Sequence, residues 1–398
     1  VAVTALLGVD EALAHVLARA VPLAVEQVPL TDAAGRVLAE PAVANVDLPP
    51  FPSSAMDGFA LRADDTPGSL PVVARIAAGR PATRALEPGE AMGIATGGVV
   101  PAGADAVVPL EDVAETENAV TIPTPVVKGA NVRSRGGDVT AGEVAVAAGT
   151  TLTPARIAAL AACGVSTVRC GARPRVVVLA TGTELRPPGV PLAEGEIYES
   201  NGVMLGAALV AAGAVVERVG PVADDEDAHR AAIEHGLGAH VLVTSGGVSV
   251  GPHDLVRRIE RALGVDEIFW GVAMRPGKPL SFGVRGSTLV FGLPGNPVSS
   301  LVGCLLFACP AVRALQGASD PGPRYLSGVL STAVTRNAAR DDFVRARSAW
   351  TDGGVALSPI GGQESHMIVR SAAADALVHV PRGTGTLAAG SPVRFLPL

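Results

Sequence analysis

The sequence predicts a multidomain α/β protein. A central parallel-sheet domain is joined to a β-rich inserted domain, a helical and extended linking domain, and a C-terminal β-barrel. Three observations predict this. From Arg175 to about Gln316, short apolar runs end in glycine- or serine-rich turns and each is followed by a helical pattern, as in βα units. Before that stretch, two alanine-rich helical patterns flank a segment of short β-like runs broken by glycine and proline. After Gly317 a Ser/Asp/Pro/Gly linker leads into a last set of short strands. At 398 residues the chain exceeds one ordinary core, and the expected units are 1–45 with 140–173, 46–139, 174–318 and 325–398.

Composition narrows the functional classes. Lys+Arg number 31 against 38 Asp+Glu, for a net charge of -7, and no basic run stands out. That argues against nucleic acid or an acidic membrane as a partner. With 48% hydrophobic residues the chain is expected to be folded throughout, its 47 glycines and 32 prolines serving tight turns. Cys163, Cys170, Cys304 and Cys309 show no CxxC spacing, so buried, reduced thiols are expected rather than a zinc or disulfide framework. The most apolar stretch, 298–311, is short for a membrane span and is interrupted by Pro310, which points to a buried helix. The first residues lack the pattern of a signal peptide, and a cytoplasmic location is expected.

In chain order, 9–20 has apolar residues at helical spacing with Asp10 and Glu11 in its first turn. Residues 30–38 read as a turn of helix before an extended segment. Pro49, Pro50 and Pro52 then make a rigid lead-in to Asp57-Gly58, a turn that either holds a carboxylate in place or is an Asx-turn with no further role. Strands are expected at 72–76, 106–110 and 120–122. In Ile94-Ala-Thr-Gly-Gly98 the Thr96 hydroxyl and the glycines can face an oxyanion, the alternative being a plain β-turn. Arg133, Arg135 and Asp138 surround two glycines, which suits a phosphate or a local ion pair. Thr153-Pro154 caps a helix over 155–163 that Gly164 stops. This helix is expected to pack on the N-terminal one, making the β-rich segment between them an insertion.

In the central domain, strand 175–180 ends in Thr181-Gly-Thr-Glu184, and a proline- and glycine-rich loop leads to a helix over 202–212 capped by Ser200 or Asn201. Strand 215–222 precedes Asp224-Asp-Glu-Asp227, four acids that either complement a helix dipole or hold Mg²⁺. Strand 240–244 runs into Ser245-Gly-Gly-Val-Ser249, whose glycines let backbone N–H groups approach an anion. Asp254 sits near the start of the helix 255–263. Strand 268–274 meets Arg275-Pro-Gly-Lys-Pro279, which projects two cations from a rigid turn, and strand 287–291 precedes Asn296-Pro297 at the head of the last helix. Beyond the linker, strands at 325–326, 343–350, 355–357, 377–380 and 393–396 make a small barrel or sandwich. Its most polar loop is 361–366, and Arg340, Arg345 and Arg347 are expected to face solvent. Acids at Glu184, Asp224, Asp225 and Asp254 beside anion-accepting turns, Arg275 and Lys278 suggest a metal-bridged phosphate or other oxyanion. No GxSxG elbow or P-loop is present, nor a GxGxxG fingerprint in the right place.

Five motifs then occur in order: Ser54-Ala-Met-Asp-Gly-Phe-Ala60, Ala95-Thr-Gly-Gly-Val-Val-Pro-Ala-Gly-Ala-Asp-Ala-Val-Val108, Ser245-Gly-Gly-Val-Ser-Val-Gly251, Arg275-Pro-Gly-Lys-Pro279 and Gly292-Leu-Pro-Gly-Asn-Pro-Val-Ser299. Over 9–398 the chain resembles the MoeA family of molybdopterin molybdenumtransferases, whose animal relative is the E domain of gephyrin. The resemblance implies a homodimer of four-domain subunits with a central domain similar to that of the molybdopterin adenylyltransferases. It implies that adenylylated molybdopterin and molybdate are the substrates of an Mg²⁺-dependent reaction that inserts the metal and releases AMP. Carried over by motif, Asp57 and Thr96 would reach the site across the dimer interface. Glu184, Asp224, Asp225 and Asp254 would position Mg²⁺ and the pyrophosphate, with Lys278 also catalytic. Asp138, Ser245, Gly246, Gly247, Ser249, Arg275, Pro279, Pro294, Gly295, Asn296, Ser299, Arg345 and Ser365 would contact molybdate or the pterin phosphate.

Gly271 departs from the pattern, standing where several bacterial members carry lysine, and Arg340 competes with Arg345 for its role. The alternatives are a molybdopterin adenylyltransferase, a non-catalytic pterin-binding scaffold, and a relative that prefers tungstate. A molybdopterin adenylyltransferase and cofactor-accepting apo-molybdoenzymes are the expected partners.

Overall fold

Arg175–Thr181 is buried at every position after its first, as a central strand covered on both faces must be. In the computed structural model, which describes residues 6–222, 225–247 and 255–398, this strand lies parallel between Val215–Val222 and Val241–Ser245. Thr288–Leu293 adds a further parallel strand beyond Val241–Ser245. The six-stranded sheet then ends antiparallel, in Ser281–Arg285 and Asp266–Trp270. That edge departs from the expected parallel sheet. Ser281–Arg285 carries a weak strand pattern, with serine and glycine at positions where the sheet buries them, and the hairpin at Gly286 folds it back on Thr288–Leu293.

Alternate strand residues feed two cores. Val176, Val178, Val241, Val243, Leu289 and Phe291 meet the helices Asn201–Ala211 and Pro297–Leu315 on one face. Val177, Leu179, Leu242 and Val290 meet Glu226–Gly236 and Leu255–Ala262 on the other. The Pro297–Leu315 run is continuous despite Pro310, because a π-helical turn over Cys304–Ala308 precedes the proline and absorbs its missing N–H. Its length and composition would let it cross a membrane, but 83% of its most apolar window is buried inside the protein. It is a core helix. All four cysteines are free and buried.

The first helix, Val9–Leu17, adds Val9, Ala12 and Val16 to this central core. It does not share a core with Pro154–Ala162, whose Leu160 belongs to a separate cluster with Val28, Leu30, Leu38 and Val168. The expected pairing of the two helices is corrected here. The first helix turns its apolar stripe to the larger apolar surface of the Pro297–Leu315 helix. The second cluster is held by antiparallel pairs, Val25–Pro29 with Thr167–Gly171 and Ala42–Val43 with Val144–Val146.

Helix caps also differ from expectation. Thr153 and Asn296 make no side-chain cap hydrogen bond, although each precedes a proline at the first helical position. Ser200 is likewise idle, and the Gly202 amide donates to Glu199 Oε1 at 2.6 Å instead. Between residues 58 and 122 a six-stranded sheet buries Phe59 and Leu61 on one face and Ala60, Met92 and Val107 on the other. At the C-terminus, Leu326–Leu330, Asp341–Thr351, Gly354–Pro359, Ala376–Val380 and Pro392–Pro397 close into a barrel. Met274–Arg275 pairs in parallel with Asp341–Asp342, which fixes the barrel beside the carboxyl ends of the central strands.

Candidate functional site

At those carboxyl ends two glycine turns lie face to face. Gly246 (φ +100) and Gly247 (φ +66) hold left-handed backbone, and a β-carbon at Gly246 would stand 2.9 Å from the Thr181 carbonyl oxygen. The Gly246 amide donates to the Leu293 carbonyl at 3.1 Å. Asn201 fastens the two turns together: its Nδ2 donates to Ser245 Oγ at 2.9 Å and to the Gly295 carbonyl at 2.7 Å. Ser300 Oγ donates to the Pro294 carbonyl from below.

Above the turns is a cleft of about 1150 Å³ lined by Glu184, Tyr198, Asn201, Gly246, Gly247 and Arg258 among others. A second chamber of about 950 Å³ lies between the central domain and the barrel, with Arg275, Lys278, Ser299, Arg340, Gln363 and Ser365 in its walls. Pro279, Pro294, Asn296 and His366 line both. Ser245 and Gly295 open on the first chamber only.

The cations of the second chamber differ in availability. Arg275 gives its Nε and Nη2 to the buried Asp342 carboxylate at 2.8 and 2.5 Å, so one edge of the guanidinium is committed to joining the domains. Lys278 is exposed and has no side-chain partner among the described residues. Arg345 is corrected from solvent-facing to buried, at 1% exposure. Its guanidinium donates to the carbonyls of Gly362, Glu364 and Met367 at 2.7, 3.2 and 2.7 Å and to Ser371 Oγ at 2.9 Å. It lines neither chamber, and burial lowers its pKa. Arg340 is the arginine of that pair that reaches the cleft wall.

The acids separate as clearly. Glu184 is exposed at the mouth of the first chamber, whereas Asp225 Oδ1 accepts the Ala228 amide at 2.8 Å as the N-cap of Glu226–Gly236. Asp224, Ser249 and Asp254 lie outside the described residues. Among the described residues no group of three His, Cys, Asp or Glu side chains is placed to hold a metal. Of the acids expected to hold a metal, Asp225 serves as a structural cap, and Glu184 stands at the first chamber.

Asp57 and Thr96 line neither chamber. The Thr96 amide donates to Asp57 Oδ1 at 2.6 Å, and this bond, then one from the Thr96 side chain, holds the Asp57 carboxyl below the usual range. Asp138 is exposed, and the neighbouring Arg135 pairs not with it but with the sequence-distant Asp47 at 2.5 Å.

Three family models match in succession: the MoeA N-terminal region (domain I and II) over residues 7–164, a probable molybdopterin binding domain over 177–314, and the MoeA C-terminal region (domain IV) over 327–398. The chain belongs to the MoeA family. A Mycobacterium tuberculosis (strain ATCC 25618 / H37Rv) protein named molybdopterin molybdenumtransferase 2 is 38% identical over 386 residues, covering 93% of this chain and 94% of that protein. A Staphylococcus aureus (strain MRSA252) protein named molybdopterin molybdenumtransferase is 33% identical over 396 residues, 98% of this chain and 94% of that one. The crystal structure of a molybdopterin biosynthesis MoeA protein from Pyrococcus horikoshii OT3 superposes with a TM-score of 0.85 at 28% identity, covering 99% of this chain and 100% of that chain.

Within this MoeA chain, residue-by-residue reading missed Asn201 as anything but a cap, and missed Arg258 and His366 altogether as cleft residues. Asn201 carries no signal that separates a cap from a tie between turns. Arg258 pairs with Glu226 at 2.7 Å on the surface while lining the first chamber, and its helix reads as ordinary amphipathic sequence.

Proposed function

We propose that this MoeA-family chain is a molybdopterin molybdenumtransferase that inserts molybdate into adenylylated molybdopterin and releases AMP in molybdenum cofactor biosynthesis. The observation that carries the chemistry is the double chamber. Glycine turns beside Glu184 let backbone approach phosphates closely, and Lys278 and Arg340 stand across the shared prolines in a chamber suited to a small oxyanion. A molybdopterin adenylyltransferase is not favoured, because the chain carries both MoeA-specific regions beyond the domain at 177–314.

In this reading Ser245, Gly246, Gly247, Gly295 and Asn296 orient the pyrophosphate end, and Lys278, Arg340, Ser299 and Ser365 hold the oxyanion. Pro279 and Pro294 shape the passage between them. Arg275 supports the chamber wall through Asp342 and offers its remaining edge. Bound Mg²⁺ supplies neutralisation of phosphate charge, and Glu184 would hold it jointly with the substrate. Asp57 and Thr96 serve the cleft of a second copy, which makes the working unit a homodimer; their absence from both chambers of their own subunit supports this. A cytoplasmic location, a molybdopterin adenylyltransferase as substrate donor and apo-molybdoenzymes as acceptors belong to the same proposal.

The test is AMP release from adenylylated molybdopterin with and without molybdate, and with Mg²⁺ withdrawn by a chelator. Molybdate-dependent release that Mg²⁺ restores supports the reading. Pterin binding without AMP release under any oxyanion replaces it with a carrier or scaffold.

A further inference from the structure

We propose that His366 is a further substrate-contacting residue, its imidazole meeting the phosphoanhydride at the junction of the two chambers; the assignment rests on the transferase reading above. Among the described residues, His366 is the titratable side chain common to both chamber walls, and those that share this position with it are Pro279, Pro294 and Asn296. It comes from the barrel, so it faces the glycine turns of the central domain from the opposite side.

The loop that carries it is held from several directions. Arg345 takes the carbonyls of Gly362, Glu364 and Met367 from inside the barrel. Gln363 closes the loop base, accepting the Arg345 amide at 3.0 Å and donating to the Arg345 and Ile360 carbonyls at 2.8 Å each. The Val298 amide donates to the Ser365 carbonyl at 3.0 Å, which pins the loop to the head of the Pro297–Leu315 helix. Against this rigid support the His366 side chain is exposed and has no hydrogen-bond or ion-pair partner among the described residues. An imidazole with a free N–H, carried on a fixed backbone where a ligand spanning both chambers must pass, suits an oxygen of the anhydride whose P–O bond is broken.

The test uses full-length protein with labelled histidine and two probes, AMP for the first chamber and molybdate for the second. His366 is identified among the seven histidines as the imidazole resonance missing from His366→Gln. That resonance is expected to move with AMP alone and with molybdate alone. In turnover, His366→Gln and His366→Asn are expected to lower kcat for AMP release about tenfold, the scale of one lost hydrogen bond to a charged group, with unchanged melting. A resonance that either probe leaves still, or variants with wild-type kcat and KM, overturns the assignment. A wild-type protein that never releases AMP while its His366 resonance answers both probes refutes the transferase reading and keeps His366 at the junction.

Discussion

Arg275 and Asp342 join the α/β core to the barrel through paired hydrogen bonds of 2.8 and 2.5 Å, flanked by the parallel pairing of Met274–Arg275 with Asp341–Asp342. The Asp342 carboxylate is 2% exposed and the Arg275 side chain 55%, so loss of the arginine leaves the costlier orphan. Arg275→Ala is expected to lower stability by about 1.5–3 kcal/mol and to weaken molybdate binding by loosening the chamber wall. Urea unfolding and molybdate titration check the two effects. Undiminished stability would show that the pair adds nothing to domain docking.

Arg345 gives a second prediction, which turns on geometry rather than charge. Lysine keeps the charge but cannot match a planar fork that serves three carbonyls and a hydroxyl. Arg345→Lys is expected to speed amide exchange in residues 361–367 and raise the KM for molybdate, while the sheet amides of the barrel stay protected. If molybdate affinity falls with exchange in the loop unchanged, the direct ligand role implied by the family resemblance is restored.

These two arginines also show what could be read from the chain. Alternation of strand and helix after Arg175 was legible because buried parallel strands must be apolar along their length, and turn chemistry marked their ends. Ser281–Arg285 escaped because its serine and glycine lower strand signal in a place where the hairpin partner determines pairing. In Arg345 the strand pattern itself misled: an arginine between apolar neighbours reads as outward-facing, and only the returning 361–367 loop supplies the carbonyls that bury it. Residues named by motif, such as Lys278 and Glu184, reached the cleft, while Asp225 went to a helix cap that its position before Glu226–Gly236 also allowed.

Asp57 carries a prediction about sharing between subunits. Asp57→Asn keeps an oxygen for the Thr96 amide and removes the charge, so the fold is expected to survive while AMP release falls about 10²-fold or more. Mixing Asp57→Asn with Glu184→Gln subunits is then expected to restore roughly a quarter of wild-type activity, since random pairing in a two-fold dimer rebuilds one intact site in half the dimers. No recovery after verified subunit exchange would place both residues in one subunit's site.

The same carboxyl sets a pH dependence. Its pKa is depressed in the folded chain, by the Thr96 amide first, so its contribution to stability is present above the unfolded carboxylate value and is lost as pH falls through the lower folded value. The melting difference between wild type and Asp57→Asn is expected to be constant near neutrality and to shrink only in acid. A difference that instead shrinks towards alkaline pH excludes this origin.

Gly271, where the family resemblance implies a lysine, sits on backbone that disfavours a side chain. Its φ of +88 lies in the left-handed region, and a β-carbon there would stand 2.7 Å from Leu6 Cδ2. The Gly271 amide meanwhile donates to the Leu280 carbonyl at 2.8 Å, which ties the chain before the Arg275-Pro-Gly-Lys-Pro279 turn to the residue that follows it. Gly271→Lys is therefore expected to lower stability by about 1–3 kcal/mol and to raise the KM for molybdate, because strain is relieved by shifting the turn that carries Lys278. Had the pocket simply lost a cation, the lysine would improve molybdate affinity at little cost to melting, and a titration of the variant decides between the two.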